Sequence, residues 1–338
     1  MITAKERVMN AIEGKEVDRV PVVCPGGMMN MVVEDIMDIK NISWPSAHNS
    51  SLEMAELTYG LYENKCFDNV GVPFCMTVEA EAMGATIFMG SKITEPRVCE
   101  YPIELVNEYE KLKDIDVTSG RVKIVTEAIK ILKEKDSNVP IIGNVVGPIS
   151  LASSLIEPVI FYKDMRRNKD GIHKYMDFIT NNLIVYTKAL IDAGADIIAI
   201  SEPSGTGEIL GPKMFAEFAT PYINRLIDAI KGYSDKKVIL HICGRLKSVY
   251  SELNLLHNDV ISFETLTSVK DIMENVKDKC FMGNISTLTL EQGTEETVKN
   301  LTEHCIKNGV KIIAPACGLG TKSPIGNLKA MIKTSENY

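Results

Sequence analysis

The sequence predicts a closed α/β barrel, (β/α)8, of the TIM type with an N-terminal helical extension. Eight short apolar segments, near residues 20, 70, 141, 197, 238, 260, 281 and 311, alternate with helical stretches. That alternation reads as βαβ units and a parallel sheet, and a count of eight is that of a closed barrel. No G-x-G-x-x-G follows the first segment, which removes the fingerprint of a doubly wound open sheet. At 338 residues the chain suits one barrel domain spanning 1–338, with 1–65 as the extension. No internal repeat, low-complexity tract or linker divides it.

Thr3 with Glu6 fits a capping box opening a helix over Ala4 to Glu13, which Gly14 stops. Val20 to Cys24 is the first strand, ending in Pro25-Gly26-Gly27. Met28 to Asn64 reads as two helices parted by a Trp44-Pro45 turn, with Ser50 or Ser51 capping the second. Phe67 to Phe74 is a strand leading into a Met- and Glu-rich loop, 75–90, and 93–98 reads as a hairpin arm. The Glu79 and Glu81 pair reads as a solvated face of that loop. Gly120 to Asp136 is an amphipathic helix.

Beyond it the alternation is regular. Strands over 140–146, 195–203, 238–243, 260–263, 281–285 and 311–314 are separated by helices over 148–162, 171–193, 212–231, 247–256, 269–275 and 294–308, with a last helix from Ile325.

The net charge of −8 carries no compensating basic cluster, which excludes a nucleic-acid binder and gives no reason to expect an anionic membrane as partner. Met1 to Ala11 has no apolar core of a signal peptide, and no apolar run reaches membrane-spanning length. Eight cysteines without a secretory signal indicate reduced thiols and a cytoplasmic enzyme.

In such barrels the reaction site lies at the C-terminal ends of the strands. Those ends carry Cys24, Asn144, Glu202, His241 with Cys243, Glu264, Asn284 and Cys317. In a strand, residues i and i+2 share a face, so His241 and Cys243 project together. The 73 residues between Cys243 and Cys317 rule out a local zinc knuckle but suit ligands gathered from separate strands. His241, Cys243, Cys317 and Glu264 are therefore the candidate Zn2+ ligands, with Glu202 the fallback carboxylate. Core packing is the competing reading for the His-x-Cys pair. Asn144 and Asn284 are candidate cofactor contacts, and Met28 with its methionine neighbours a candidate apolar docking surface. The other six cysteines read as buried, inert thiols, and His173, His257 and His304 as surface or helix-end residues.

Arg7-Val-Met-Asn-Ala-Ile-Glu-Gly, Asp18-Arg-Val-Pro21, Ser201-Glu-Pro-Ser, His241-Ile-Cys-Gly, Gly283-Asn-Ile-Ser-Thr287 and Ala314-Pro-Ala-Cys-Gly318 resemble the uroporphyrinogen decarboxylase superfamily. Within it they resemble the methylcobamide:coenzyme M methyltransferases. The resemblance covers nearly the whole chain. It implies zinc on the H-x-C-x73-C signature, which the decarboxylases lack. Those carry an R-Q-A-G-R segment after the first strand, where this chain has Cys24-Pro-Gly-Gly-Met-Met-Asn30, without arginine. Cobalamin-independent methionine synthase, a more distant relative, binds zinc through His, Cys, Glu and Cys in that order, which implies Glu264 as the fourth ligand.

The implied reaction is methyl transfer from a methylcorrinoid, carried by a corrinoid protein, to a zinc-activated small thiol such as coenzyme M. Glu264 or water would leave as the thiol arrives. Arg245 is the one nominee for an anion-binding group. The alternatives are tetrahydrofolate as methyl acceptor, a decarboxylase-like lyase, and a non-catalytic corrinoid-binding module.

Overall fold

The structure is a computed structural model that describes residues 2–338. Its strands are β1 (Val70–Val72), β2 (Thr86–Phe88), β3 (Arg97–Glu100), β4 (Ile141–Val146), β5 (Ile197–Glu202), β6 (Lys237–Ile242), β7 (Val260–Phe263) and β8 (Cys280–Met282). Six form one parallel sheet in the order β1-β4-β5-β6-β7-β8, while β2 and β3 pair as a separate antiparallel hairpin. Strands β4 and β5 are buried at every position. That is why their bodies read as runs of Ile and Val rather than as an alternation.

Two expected strands, near residues 20 and 311, are not ladder strands. They close the ring through isolated parallel bridges: Met282 with Ile312, Ile285 with Pro315, and Val22 with Ile313. The reason is local. Pro21 and Pro315 have no N–H to give to a ladder, so pairing is intermittent there. The Ile313 N–H donates to the Pro21 carbonyl at 2.9 Å, and the Val23 N–H to the Ile313 carbonyl at 2.8 Å.

The last seam, between the Val22 segment and β1, has few backbone bonds: the Asp68 N–H donates to the Val22 carbonyl at 2.7 Å and, past the strand ends, the Gly27 N–H to the Pro73 carbonyl at 2.6 Å. Side chains complete it. The Asp68 carboxylate, 3% exposed, accepts from the Val22 N–H at 2.8 Å and from both Arg7 and Arg19. Asn69 accepts from the Cys24 N–H at 2.9 Å and donates to the Cys24 carbonyl at 2.7 Å.

The helices depart from expectation mainly at prolines and caps. Ala4–Ile12 carries the expected capping box, and Lys169–Ala193 ends at Gly194 in the left-handed conformation. Residues 28–64 hold three helices rather than two, Glu34–Lys40, Trp44–Ala47 and Ser51–Glu63. Trp44-Pro45 starts a helix because proline is tolerated in a first turn. Pro158 breaks the helix expected over 148–162 into Pro148–Leu155 and Pro158–Arg167. The 212–231 helix spreads over Gly207–Met214, a π-helical stretch Phe215–Ala219, and Thr220–Tyr233. Thr287–Gln292, capped by Ser286, was not expected. Among the described residues no helix is long and apolar enough to cross a membrane.

Candidate metal centre

Three donor side chains meet at the open ends of the strands. His241 is the penultimate residue of β6, Cys243 follows it, and Cys317 ends the bridging segment that begins near Lys311. One ligand atom from each lies within 4.8 Å of the others. The His241 Nε2 is 3.3 Å from the Cys243 Sγ, which is 3.5 Å from the Cys317 Sγ. The shared strand face of residues 241 and 243 thus becomes a shared point. Gly244 then turns the chain at φ +75°, and a side chain there would meet the Glu208 carboxylate.

The surroundings favour a bound cation. His241 is 1% exposed, and both cysteines are half-buried. The hydrogen bond from the Cys243 thiol holds the Cys317 thiol well below its ordinary pKa, with His241 adding to the effect. The same hydrogen bond and burial push Cys243 up. Behind the imidazole, Ser262 stands opposite His241 in the β6–β7 register, its Oγ 2.9 Å from the His241 Nδ1. This outer partner fixes the ring so that Nε2 faces the thiols. Two thiols and an imidazole, with the second ring nitrogen held from behind, fit a zinc ion with a position to spare.

The other expected site residues divide. The Glu264 carboxylate lies outside the tight three-residue cluster but beside it, accepting from the Gly244 N–H at 2.8 Å. Met28 touches the centre, its Sδ 3.7 Å from the Cys243 Sγ. Glu202 is fully buried and engaged with the Ser150 hydroxyl, the Ile149 N–H at 2.9 Å and the Gly205 N–H at 3.1 Å. Burial raises its pKa to about 7 against the pull of those donors. The amide NH2 groups of Asn144 and Asn284, both expected to touch a cofactor, donate to backbone carbonyls, while the buried Asn144 Oδ1 has no partner in the protein. Asn144 donates to the Pro25 and Val72 carbonyls, and Asn284 to those of Glu264 and Thr267. Both tie loops together at the barrel mouth. Arg245 is exposed and faces Glu208.

Ser262 was not foreseen, because its importance depends on strand register. Glu79 was misread. Rather than a solvated loop face, it is 1% exposed on a short helix, Val78–Ala82, and accepts from the Val146 N–H at 2.8 Å. Its partner Glu81 pairs with Arg121. Cys99 is exposed, unlike the buried thiols Cys24, Cys66, Cys75 and Cys305, and Cys280 is half-buried.

Burial raises the Glu79 pKa to about 7. Its carboxyl therefore stays protonated in the folded chain over a range where the unfolded chain, ionising near pH 4.3, has released the proton. Stability contributed at low pH is lost as pH rises from roughly 4.5 to 7, a cost on the order of 3 kcal/mol. Glu79→Gln is expected to gain roughly 2–3 kcal/mol on wild type between pH 5 and pH 8 in urea unfolding.

A family model described as uroporphyrinogen decarboxylase (URO-D) matches residues 3–338. The chain is 32% identical over 338 residues to the methylcobamide:CoM methyltransferase MtbA of Methanosarcina acetivorans, covering 99% of this chain and 98% of that one. It is likewise 32% identical over 342 residues to the methylcobamide:CoM methyltransferase MtaA of Methanosarcina barkeri, covering 99% and 98%. The solved structure of a methyltransferase from Methanosarcina mazei matches with a TM-score of 0.92 at 29% identity, covering 100% of this chain and 99% of that one. With a family model over nearly its full length and these relatives, the chain belongs to the uroporphyrinogen decarboxylase (URO-D) family and, within it, to the branch of methyltransferases.

Proposed function

We propose that this methyltransferase moves a methyl group from a methylated corrinoid, presented by a corrinoid protein, to a small thiol such as coenzyme M. The observation that supports this most is the convergence of His241, Cys243 and Cys317 at the barrel mouth, in a chain whose relatives are named for methylcobamide and CoM. The sulfur forms a bond to the methyl carbon as the methyl–cobalt bond breaks. That electron pair stays with cobalt, and the thiol proton leaves to solvent.

His241, Cys243 and Cys317 would hold zinc, which supplies the Lewis acidity that lets a thiol react as thiolate near neutral pH. The chain's own residues set the rest. Two cysteine sulfurs make the centre electron-rich, which favours a nucleophilic sulfur over a tightly neutralised one. Ser262 keeps the His241 Nε2 aimed at the thiols. Glu264, anchored by the Gly244 N–H, supplies an exchangeable oxygen donor beside the cluster. Glu202 acts at one remove, tying the start of the Pro148–Leu155 helix to the loop at Gly205. Met28 covers Cys243 with a soft apolar group suited to a corrin face.

Zinc-loaded protein mixed with methylcobalamin and coenzyme M is expected to bleach the methyl–cobalt absorbance, forming one methylated thiol per cobalt. Methylcobalamin left intact under those conditions contradicts the proposal. Ser262→Ala is expected to weaken zinc retention roughly 10–100-fold in a chelator competition, the usual loss for an outer-shell partner of a metal-bound histidine.

A further inference from the structure

The end of the barrel opposite the metal centre carries a cleft of about 580 Å³, walled by residues at the starts of the parallel strands. Lys237 opens β6, Asp259 precedes β7, Lys279 precedes β8 and Lys311 opens the bridging segment. Ala11 to Gly14, at the end of the first helix, close one side, and Lys231 reaches in from the Thr220–Tyr233 helix. Four lysines from four separate segments are thus gathered by the fold, against their mutual repulsion.

The protein neutralises only part of that charge. The Asp259 carboxylate is taken up by the Lys231 ammonium at 3.3 Å and the Val238 N–H at 2.8 Å. Glu13 lies 3.6 Å from Lys237 but is shared with Lys15, outside the cleft, at 2.6 Å. Lys279 is half-buried and donates to the Leu256 and Asn258 carbonyls, which are neutral. Burial, and after it the neighbouring Lys231, lowers its pKa below the ordinary lysine value. Among the described residues the Lys311 ammonium has no ion pair or hydrogen bond, and neither has the exposed Asp278 carboxylate. Two cations, on Lys279 and Lys311, therefore lack a hydrogen-bonded carboxylate.

A second unmet need lies in the same wall. Asn258 is 3% exposed, and its Nδ2 donates to the Val260 carbonyl at 2.9 Å. That fixes the amide and leaves its Oδ1, an acceptor only, buried without a partner. Such atoms are few in folded proteins, and each calls for an explanation. An oxyanion that also carries a proton answers both needs, with negative oxygens for the lysines and one O–H for Asn258.

We propose that this cleft binds a phosphate group, as free hydrogen phosphate or as the end of a nucleotide, through Lys279, Lys311 and the Asn258 Oδ1. Lysine meets phosphate as a point charge. Near neutral pH hydrogen phosphate keeps an O–H that sulfate lacks, so the site prefers phosphate. The bound group would tie the end of the first helix to the strand starts, at the barrel face that serves stability rather than chemistry. The site is independent of the methyl transfer at the other end.

Calorimetric titration of the whole chain at neutral pH is expected to give a phosphate Kd below ~1 mM, with sulfate at least about tenfold weaker. Lys311→Gln and Lys279→Gln are each expected to weaken phosphate binding about tenfold, the loss of one charge-assisted contact. Lys311 is exposed and unpaired, so its variant is free of folding effects and is expected to leave methylcobalamin bleaching unchanged. ADP is the second probe. Binding at least about tenfold tighter than phosphate identifies a nucleotide as the source, and ADP bound no tighter identifies free phosphate. No phosphate binding by wild type, sulfate bound as tightly as phosphate, or unchanged affinity in either variant overturns the proposal.

Discussion

Cys317→Ala is expected to strip most zinc from the centre and to reduce methyl transfer by about 100- to 1,000-fold. The magnitude follows from ligand count. Zinc held by a full protein set binds with roughly 10–16 kcal/mol, so one ligand of four accounts for about 3–4 kcal/mol and ~100- to 1,000-fold in affinity. Removing Cys317 also takes away the sulfur that lies 3.5 Å from the Cys243 Sγ. Metal content after gel filtration and the rate of methylcobalamin bleaching measure the two consequences. Folding is expected to survive, because Cys317 is only half-buried and lies outside the ladder strands. Stoichiometric zinc and near-wild-type rates in this variant would remove Cys317 from the centre.

Asp68→Ala is expected to cost about 3–5 kcal/mol of stability, the range for removing one partner of a buried charge network. The carboxylate meets Arg7 at 3.1 Å and Arg19 at 2.5 Å, with arginine side chains only 11% and 14% exposed. Without it both guanidiniums lose a counter-charge, although Arg7 keeps Asp18 at 2.7 Å, and the Val22 N–H loses its acceptor. That N–H sits at a seam with few backbone bonds, so the loss falls where the barrel closes. Urea unfolding measures it as a lower midpoint with an unchanged slope. A drop below about 1 kcal/mol would show that Asp18 and the remaining backbone bonds suffice.

The parts of this account legible in the sequence were those set by short-range rules. Alternating apolar and helical segments gave the barrel, and the two-residue strand period placed His241 and Cys243 on one face. Gly194 and the Thr3–Glu6 box marked helix ends by local chemistry. What stayed hidden depends on register or on packing at long range. Ser262 matters because β6 and β7 align it with His241, and no local pattern in Val260-Ile-Ser-Phe263 announces that pairing. Asn144, within β4, and Asn284, just past β8, donate their NH2 groups to carbonyls brought close only by the fold. Glu79 looked solvated in a run of polar and methionine residues, and only the fold shows Val146 covering it. His48 meets Trp44 one helical turn back, but Phe74, its other aromatic neighbour, is far away in sequence and joins it only in the folded chain.

The central claim is a zinc ion on His241, Cys243 and Cys317 with a position open to thiol. X-ray absorption at the zinc edge, recorded with and without coenzyme M on protein of known metal content, tests it most directly. One zinc per chain is expected with two sulfur neighbours near ~2.3 Å, and a third on thiol addition as an oxygen or nitrogen neighbour is lost. An active protein without zinc, or a zinc shell that the thiol leaves unchanged, would contradict it.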